Sequence, residues 1–250
     1  MKFEPKIPNG SVFKIIGLGG VGSIVARYLA LFLGSQNRDL DLVLIDGDDF
    51  EPSNATRMIF PTCGNKAATV RDDLLAGFAH SRLSIRAIEE FVTYENIDQL
   101  IQPGDYVLLG LDNHASRKMI SEYCECSCRD ITLVSGGNDG VEPDSTGTRG
   151  RGTFGNVQVY LIQNGKDLTL PLTAHHPEIA NPADSLPTDL NCTELIASTP
   201  QILFANLATA SAMLNALWLH LCGALKYSEA VLDIGEAVMR PVEMISNQQG

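Results

Sequence analysis

Positive charge is scarce in this 250-residue chain: 18 Lys and Arg stand against 30 Asp and Glu, a formal net charge of −12. No basic run tracks through it, which excludes nucleic acid and anionic membrane surfaces as main partners. Internal repeats and low-complexity tracts are absent too, which argues against solenoid and disordered classes. The opening "MKFEPKIPNG" has no secretory leader pattern, and six cysteines in a chain of this size fit a reducing cytoplasm better than a disulfide scaffold. Only one long stretch, Leu195–Leu225, is free of Asp, Glu, Lys and Arg. It is long enough to span a bilayer. Because Asn206, Ser211, Asn215 and His220 recur through it and Pro200 stands near its start, the reading is a core or subunit-interface helix, with no membrane partner.

What is present is apolar mass, 44% of residues, enough for one core and one α/β domain over residues 1–250. Apolar runs predict strands at Val12–Ile16, Asp41–Ile45, Leu83–Ile88, Tyr106–Leu109, Ile131–Val134, Val157–Ile162 and Ala230–Ile234. Helical periods fall at Gly22–Leu33, Lys66–Ala79, Ala115–Cys126 and Pro200–Leu225. The early alternation implies a Rossmann-like, mostly parallel sheet; "NVQVYLIQNG" and "AVLDIGEAVMRPVEMI" read as antiparallel additions. Ser135–Gly155 is glycine-rich and expected to be mobile, and Leu172–Leu195, with its prolines, is expected to be a long surface loop.

The stretch "GLGGVG" places Gly17, Gly19 and Gly22 in the GxGxxG spacing, with Gly20 as an extra. Between a strand and a helix, such a turn lets backbone N–H groups and the positive helix end approach phosphate. Asp46 follows at the end of the second predicted strand, where a carboxylate accepts from ribose hydroxyls. To this point a dinucleotide and ATP fit equally well.

The next residues separate them. Asp48, Asn54, Arg57 and Lys66 follow Asp46 within twenty residues. Taken singly, Arg57 or Lys66 would be a solvated surface charge. Two cations near a phosphate turn suit ATP, because attack on the α-phosphorus builds negative charge that cations and Mg²⁺ stabilise. Farther on, "LDNHASR" ends a strand with Asp112 and Asn113 and sets Arg117 four residues later. Strand ends are where open α/β sheets bind ligands, so Asp112 is a candidate for Mg²⁺; capping the next helix is its structural alternative.

Cys192, in "NCTEL", precedes the long apolar helix. An ordinary thiol is only about 3% thiolate at neutral pH, so a nucleophile here needs help from the helix N-terminus, or from His175 or His176. The alternative is a small packed cysteine.

The series "GLGGVG", "DGDDFEPSNATR", Lys66 and "DNHASR" resembles the superfamily of ubiquitin-activating enzymes and bacterial ThiF/MoeB adenylyltransferases across residues 12–117. The resemblance implies that Gly17 to Gly22 wrap ATP phosphate, that Asp46 holds ribose, and that Asn54, Arg57 and Lys66 surround the phosphates. It also implies that Asp112 binds Mg²⁺ while Asn113 and Arg117 shape the same pocket. The implied reaction is adenylation of the C-terminal glycine of a ubiquitin-like protein. Cys192, set before a helix as in the autophagy-type enzymes, then forms a thioester from a crossover loop at about 172–199 and passes it to a conjugating-like enzyme. A homodimer is implied as well. Departures from the family are visible. The two CxxC pairs of its usual zinc site are missing; "CECSC" (Cys124, Cys126, Cys128) reads as free thiols, so structural zinc is not expected. The segment before the first strand has lysines where many members carry an arginine. The alternatives are a sulfur-carrier adenylyltransferase, an NAD-dependent oxidoreductase and an idle dimeric scaffold.

Overall fold

Valine, phenylalanine and two isoleucines flank Lys14 in the segment Val12–Ile16, which forms strand β1 and is buried from Phe13 onward. In a computed structural model describing residues 3–56, 58–60, 62–141, 151–189 and 201–244, β1 lies at the middle of a large sheet. Helix α1 (Gly22–Gly34) leads to β2 (Leu40–Ile45), and a two-strand bridge of β3 (Asp49–Phe50) and β4 (Gly64–Asn65) precedes α2 (Lys66–Phe78). Then come β5 (Leu83–Ile88), the single-turn α3 (Ile97–Leu100), β6 (Tyr106–Leu109), α4 (His114–Ser127) and β7 (Ile131–Asn138). The second half adds β8 (Phe154–Gln163), β9 (Lys166–Asp167), α5 (Pro177–Ala180), α6 (Leu203–Leu221), β10 (Tyr227–Asp233) and β11 (Val238–Met244).

Strand order is β11-β10-β8-β7-β6-β1-β2-β5, with β9 off the path on β8. From β5 to β7 all pairings are parallel; β8, β10 and β11 continue antiparallel. The Rossmann-like mostly parallel sheet with antiparallel additions is therefore present. Both faces are covered, which explains the unbroken apolar runs of the parallel strands. Phe13, Ile15, Leu42, Leu44 and Leu108 pack under α1, α2 and α6, while Ile16, Val43, Ile45 and Leu109 face α4 and the 172–189 segment.

Several expectations need correcting. Leu172–Leu195 is not simply a surface loop: Leu172 and Ile179 are fully buried, and α5 and a 3-10 turn at Pro187–Asp189 lie within it. Nor is Ser135–Gly155 all loose chain, since Ser135–Asn138 completes β7 and Phe154 opens β8; residues 142–150 lie outside the described residues. Apolar periodicity overran the last helix, which covers Leu203–Leu221 rather than Pro200–Leu225. Its small inner residues, with Met213, press on Gly136 of β7, so it serves the core. Among the described residues no helix is long and apolar enough to cross a membrane. Cys124 on α4 and Cys128 just after it are buried, the Cys128 N–H donating to the Cys124 carbonyl, whereas Cys126 is exposed.

Candidate active site

The sheet reverses its build direction between β1 and β6, and a cleft of about 1070 Å³ opens at the C-terminal ends of these strands. Gly17 begins the turn with φ +84°, a left-handed conformation that favours glycine. A Cβ on Gly22 would stand 1.8 Å from the Gly17 carbonyl oxygen, so α1 can start against the turn only with glycine there. No side chain caps α1 at Val21, which leaves N–H donors at its start for an anion.

Asp46, at the end of β2, is 8% exposed. Its carboxylate accepts the Leu18 N–H at 2.5 Å and the Asp48 N–H at 2.9 Å, tying β2 to the glycine turn. Burial pushes its pKa up to about 6, against the pull of Lys66 and those two N–H groups. Two accepted bonds leave further lone pairs on the same oxygens for ribose hydroxyls. Because the folded-state pKa lies above the unfolded one, this carboxyl's contribution to stability is fully present below about pH 4 and is lost as pH rises from there through 6. The difference is about 3 kcal/mol. Melting wild type and Asp46→Asn from pH 4 to 8 should therefore show wild type losing ground to the variant across that interval. A gap that stays constant with pH would refute the buried, proton-hungry carboxyl.

Asn65 organises the opposite wall. Its Oδ1 caps α2 by accepting from Ala67 and Ala68 N–H at 2.9 and 3.1 Å, and its Nδ2 donates to the carbonyls of Asp46 and Asp48. This buckle sets Lys66 at the first turn of α2, with Nζ 2.9 Å from Asp48 Oδ2 and its side chain only 11% exposed. Lys66 is thus a cleft cation and not a solvated surface charge. Asn54 lines the same cleft and accepts the Glu51 N–H. Arg57 and Cys192 lie outside the described residues.

At the end of β6, Asn113 rather than Asp112 caps α4, accepting the Ser116 N–H at 2.7 Å. Asp184, seventy residues on, accepts from His114 and Ala115 N–H, and Asn113 Nδ2 donates to the Ser185 carbonyl. With the helix start satisfied twice over, the Asp112 carboxylate is left to line the cleft. Arg117 is buried and donates to the Leu111 and Gly136 carbonyls. Burial lowers its pKa, opposed by Asp112, Asp184 and Glu178. It braces β6 against β7 and presents a cationic wall.

Gly17, Gly19, Gly20, Asp46, Asp48, Asn54, Lys66, Asp112, Asn113 and Arg117 thus border one cleft, with Gly22 packed just behind it. Sequence reasoning missed Asn65, Asp184 and Glu229, and considered His176 only as a helper for Cys192, not as part of the far wall. There His176 bridges Glu178 and Glu229 at 2.8 and 2.9 Å, joining α5 to β10. Asn65 had a readable signal, an N-cap residue before a helical run. Asp184 and Glu229 had none, because their partners are distant in the chain. Among the described residues no group of three or more His, Cys, Asp or Glu side chains is placed to hold a metal ion.

Comparison with known proteins adds to this geometry. The chain is 36% identical over 123 residues to the Drosophila persimilis protein named adenylyltransferase and sulfurtransferase MOCS3, covering 48% of this chain and 26% of that one. It is 27% identical over 126 residues to the SAMP-activating enzyme E1 of Haloferax volcanii, covering 49% and 43%. The chain thus spans less than half the length of these curated relatives. Escherichia coli MccB, solved with succinimide, shares the fold at a TM-score of 0.67 and 16% identity, over 94% of this chain and 64% of that one. Residues 5–207, which carry the glycine turn, the Asp46–Lys66 wall and the Asp112 strand end, match one family along their whole length: the chain belongs to the ThiF family.

Proposed function

We propose that this chain works as one adenylation domain that uses ATP to activate the C-terminal glycine of a ubiquitin-like protein and then holds the acyl group on Cys192. A carboxylate oxygen attacks the α-phosphorus, pyrophosphate leaves, and an acyl adenylate remains. The Cys192 thiolate then attacks the acyl carbon, AMP leaves, and the thioester is passed to a conjugating-like enzyme. The glycine turn and the start of α1 hold phosphate, and Asp46 holds ribose. Lys66, with Arg57 and Asn54, meets the charge that develops on the phosphates, while Asn113 and Arg117 fix the wall behind them. The observation that carries this reading is a mostly buried Lys66 sharing one cleft with the phosphate turn and with Asp112, which takes no part in capping α4.

Carboxylates outnumber cations along the described lining, with Asp46, Asp48, Asp49, Glu51 and Asp112 facing Lys66 and Arg117. A bare triphosphate would be repelled there, so the donor set suits a nucleotide carrying Mg²⁺. One carboxylate plus phosphate oxygens and water is an ordinary Mg²⁺ shell, and Asp112 is the residue that fits it. Bound there, Mg²⁺ would neutralise charge on the departing pyrophosphate. A homodimer in the cytoplasm is part of the same reading.

Incubation with ATP, Mg²⁺ and glycine-ended ubiquitin-like proteins tests it. Cys192→Ala should keep ATP–pyrophosphate exchange within a few-fold of wild type and lose the thiol-sensitive adduct entirely. An adduct that survives Cys192→Ala sinks the thioester step. The likeness to MOCS3 favours a second reading, a sulfur-carrier adenylyltransferase; it predicts exchange, no thioester at Cys192, and a carrier thiocarboxylate once a sulfur donor is supplied. Membership of the ThiF family weighs against the dinucleotide oxidoreductase.

A further inference from the structure

Asn206, in the first turns of α6, is wholly buried, yet among the described residues neither atom of its carboxamide has a hydrogen-bond partner. Orphaned buried amides are uncommon in native folds, and each unpaired atom carries its full desolvation cost. Leucine would fill the same space without that cost. The amide therefore gives nothing to this packed state that an apolar side chain would not give better.

Its position is specific. A Cβ on Gly20 would lie 2.2 Å from Asn206 Nδ2 and 3.1 Å from its Cγ, so the carboxamide rests directly against the phosphate turn. Gln201 Oε1 would lie 3.2 Å from that same Cβ, and both Gln201 and Gly20 border the cleft. This contact accounts for the glycine that the GxGxxG spacing leaves unexplained. At position 20 any side chain would collide with α6. One helical turn on, Thr209 repeats the arrangement: it is buried, its hydroxyl has no partner among the described residues, and it is pressed on Gly155.

We propose that Asn206 is a positioning residue for the phosphate turn, a role that rests on the nucleotide reading given above. Its carboxamide lies behind the turn and out of reach of the cleft, so it acts through the Gly19–Gly20 backbone rather than on the nucleotide. When phosphate oxygens draw the turn's N–H groups toward the cleft, Nδ2–H donates to a turn carbonyl and holds those peptides in the binding orientation. Nucleotide binding thus supplies the partner that the Asn206 amide otherwise lacks.

The test uses the full chain with ATP and Mg²⁺, read by calorimetry and by the ATP-dependent rise in melting temperature. Asn206→Leu should melt at or above wild type without ligand and bind ATP about five- to tenfold more weakly. Asn206→Asp should bind progressively more weakly as pH rises through the new carboxyl's titration, because its charge then opposes the phosphates. An Asn206→Leu protein that binds ATP as wild type does overturns the proposal. So does failure of both variants to fold, which assigns the residue to the core alone. A wild-type chain that ignores ATP instead removes the nucleotide reading on which the proposal stands.

Discussion

Lys66→Met should lower ATP-dependent pyrophosphate exchange by about 100- to 1,000-fold, the usual loss when a preorganised group facing transition-state charge is removed. Arg117, the other cation in the described lining, already donates to the Leu111 and Gly136 carbonyls, so it cannot substitute for the missing ammonium. Methionine keeps the length and much of the packing of the lysine stem. The abandoned partner, Asp48, is half-exposed and remains solvated, so the cost in stability should stay below about 1 kcal/mol. Isotope exchange and a melting curve on the same protein separate the two effects. Exchange within a few-fold of wild type would remove Lys66 from the chemistry.

The largest loss of stability is expected at the middle of β1. Lys14 points from the middle of the sheet into a site where its Nζ lies 2.6 Å from Asp105 Oδ2 and donates to the Leu100 carbonyl at 2.7 Å. Asp105 also accepts the Gln102 N–H, and both side chains are less than a tenth exposed. Asp105→Ala strands a buried ammonium, which costs about 3–5 kcal/mol. For a chain of this length that corresponds to a drop of roughly 6–20 °C in Tm. The double variant Lys14→Met, Asp105→Leu should recover most of the loss, since an apolar pair of similar volume needs no ion pairing. A single Asp105→Ala variant melting within 2 °C of wild type, or about 1 kcal/mol, would mean that water reaches this pair.

Much of the sheet was legible because its signals are local. β1, β5 and β6 have the bounds their apolar runs predicted, and β2 gains only Leu40. The near wall of the cleft was legible for a related reason: glycine turn, Asp46, Asp48 and Lys66 follow one another closely enough to share one spacing. Contacts between distant segments were not legible. Nothing near Asp184 announces that it caps α4, and nothing near His176 announces Glu229 across the cleft. Arg117 shows a subtler gap. Its charge was readable, but not that two carbonyls would take its donors. Likewise Leu172 and Ile179 looked like loop residues because no period surrounds them, yet burial pins that loop to the sheet.

The reversal of strand order beside β1 divides the cleft between two wings. Asp46, Asp48 and Lys66 come from the wing of β2 and β5, while Asp112, Arg117 and His176 belong to the wing of β6, β7 and β8. A molecule spanning the gap acts as a rivet between them. Its grip then registers as resistance of the whole sheet to melting, well beyond the few side chains it touches.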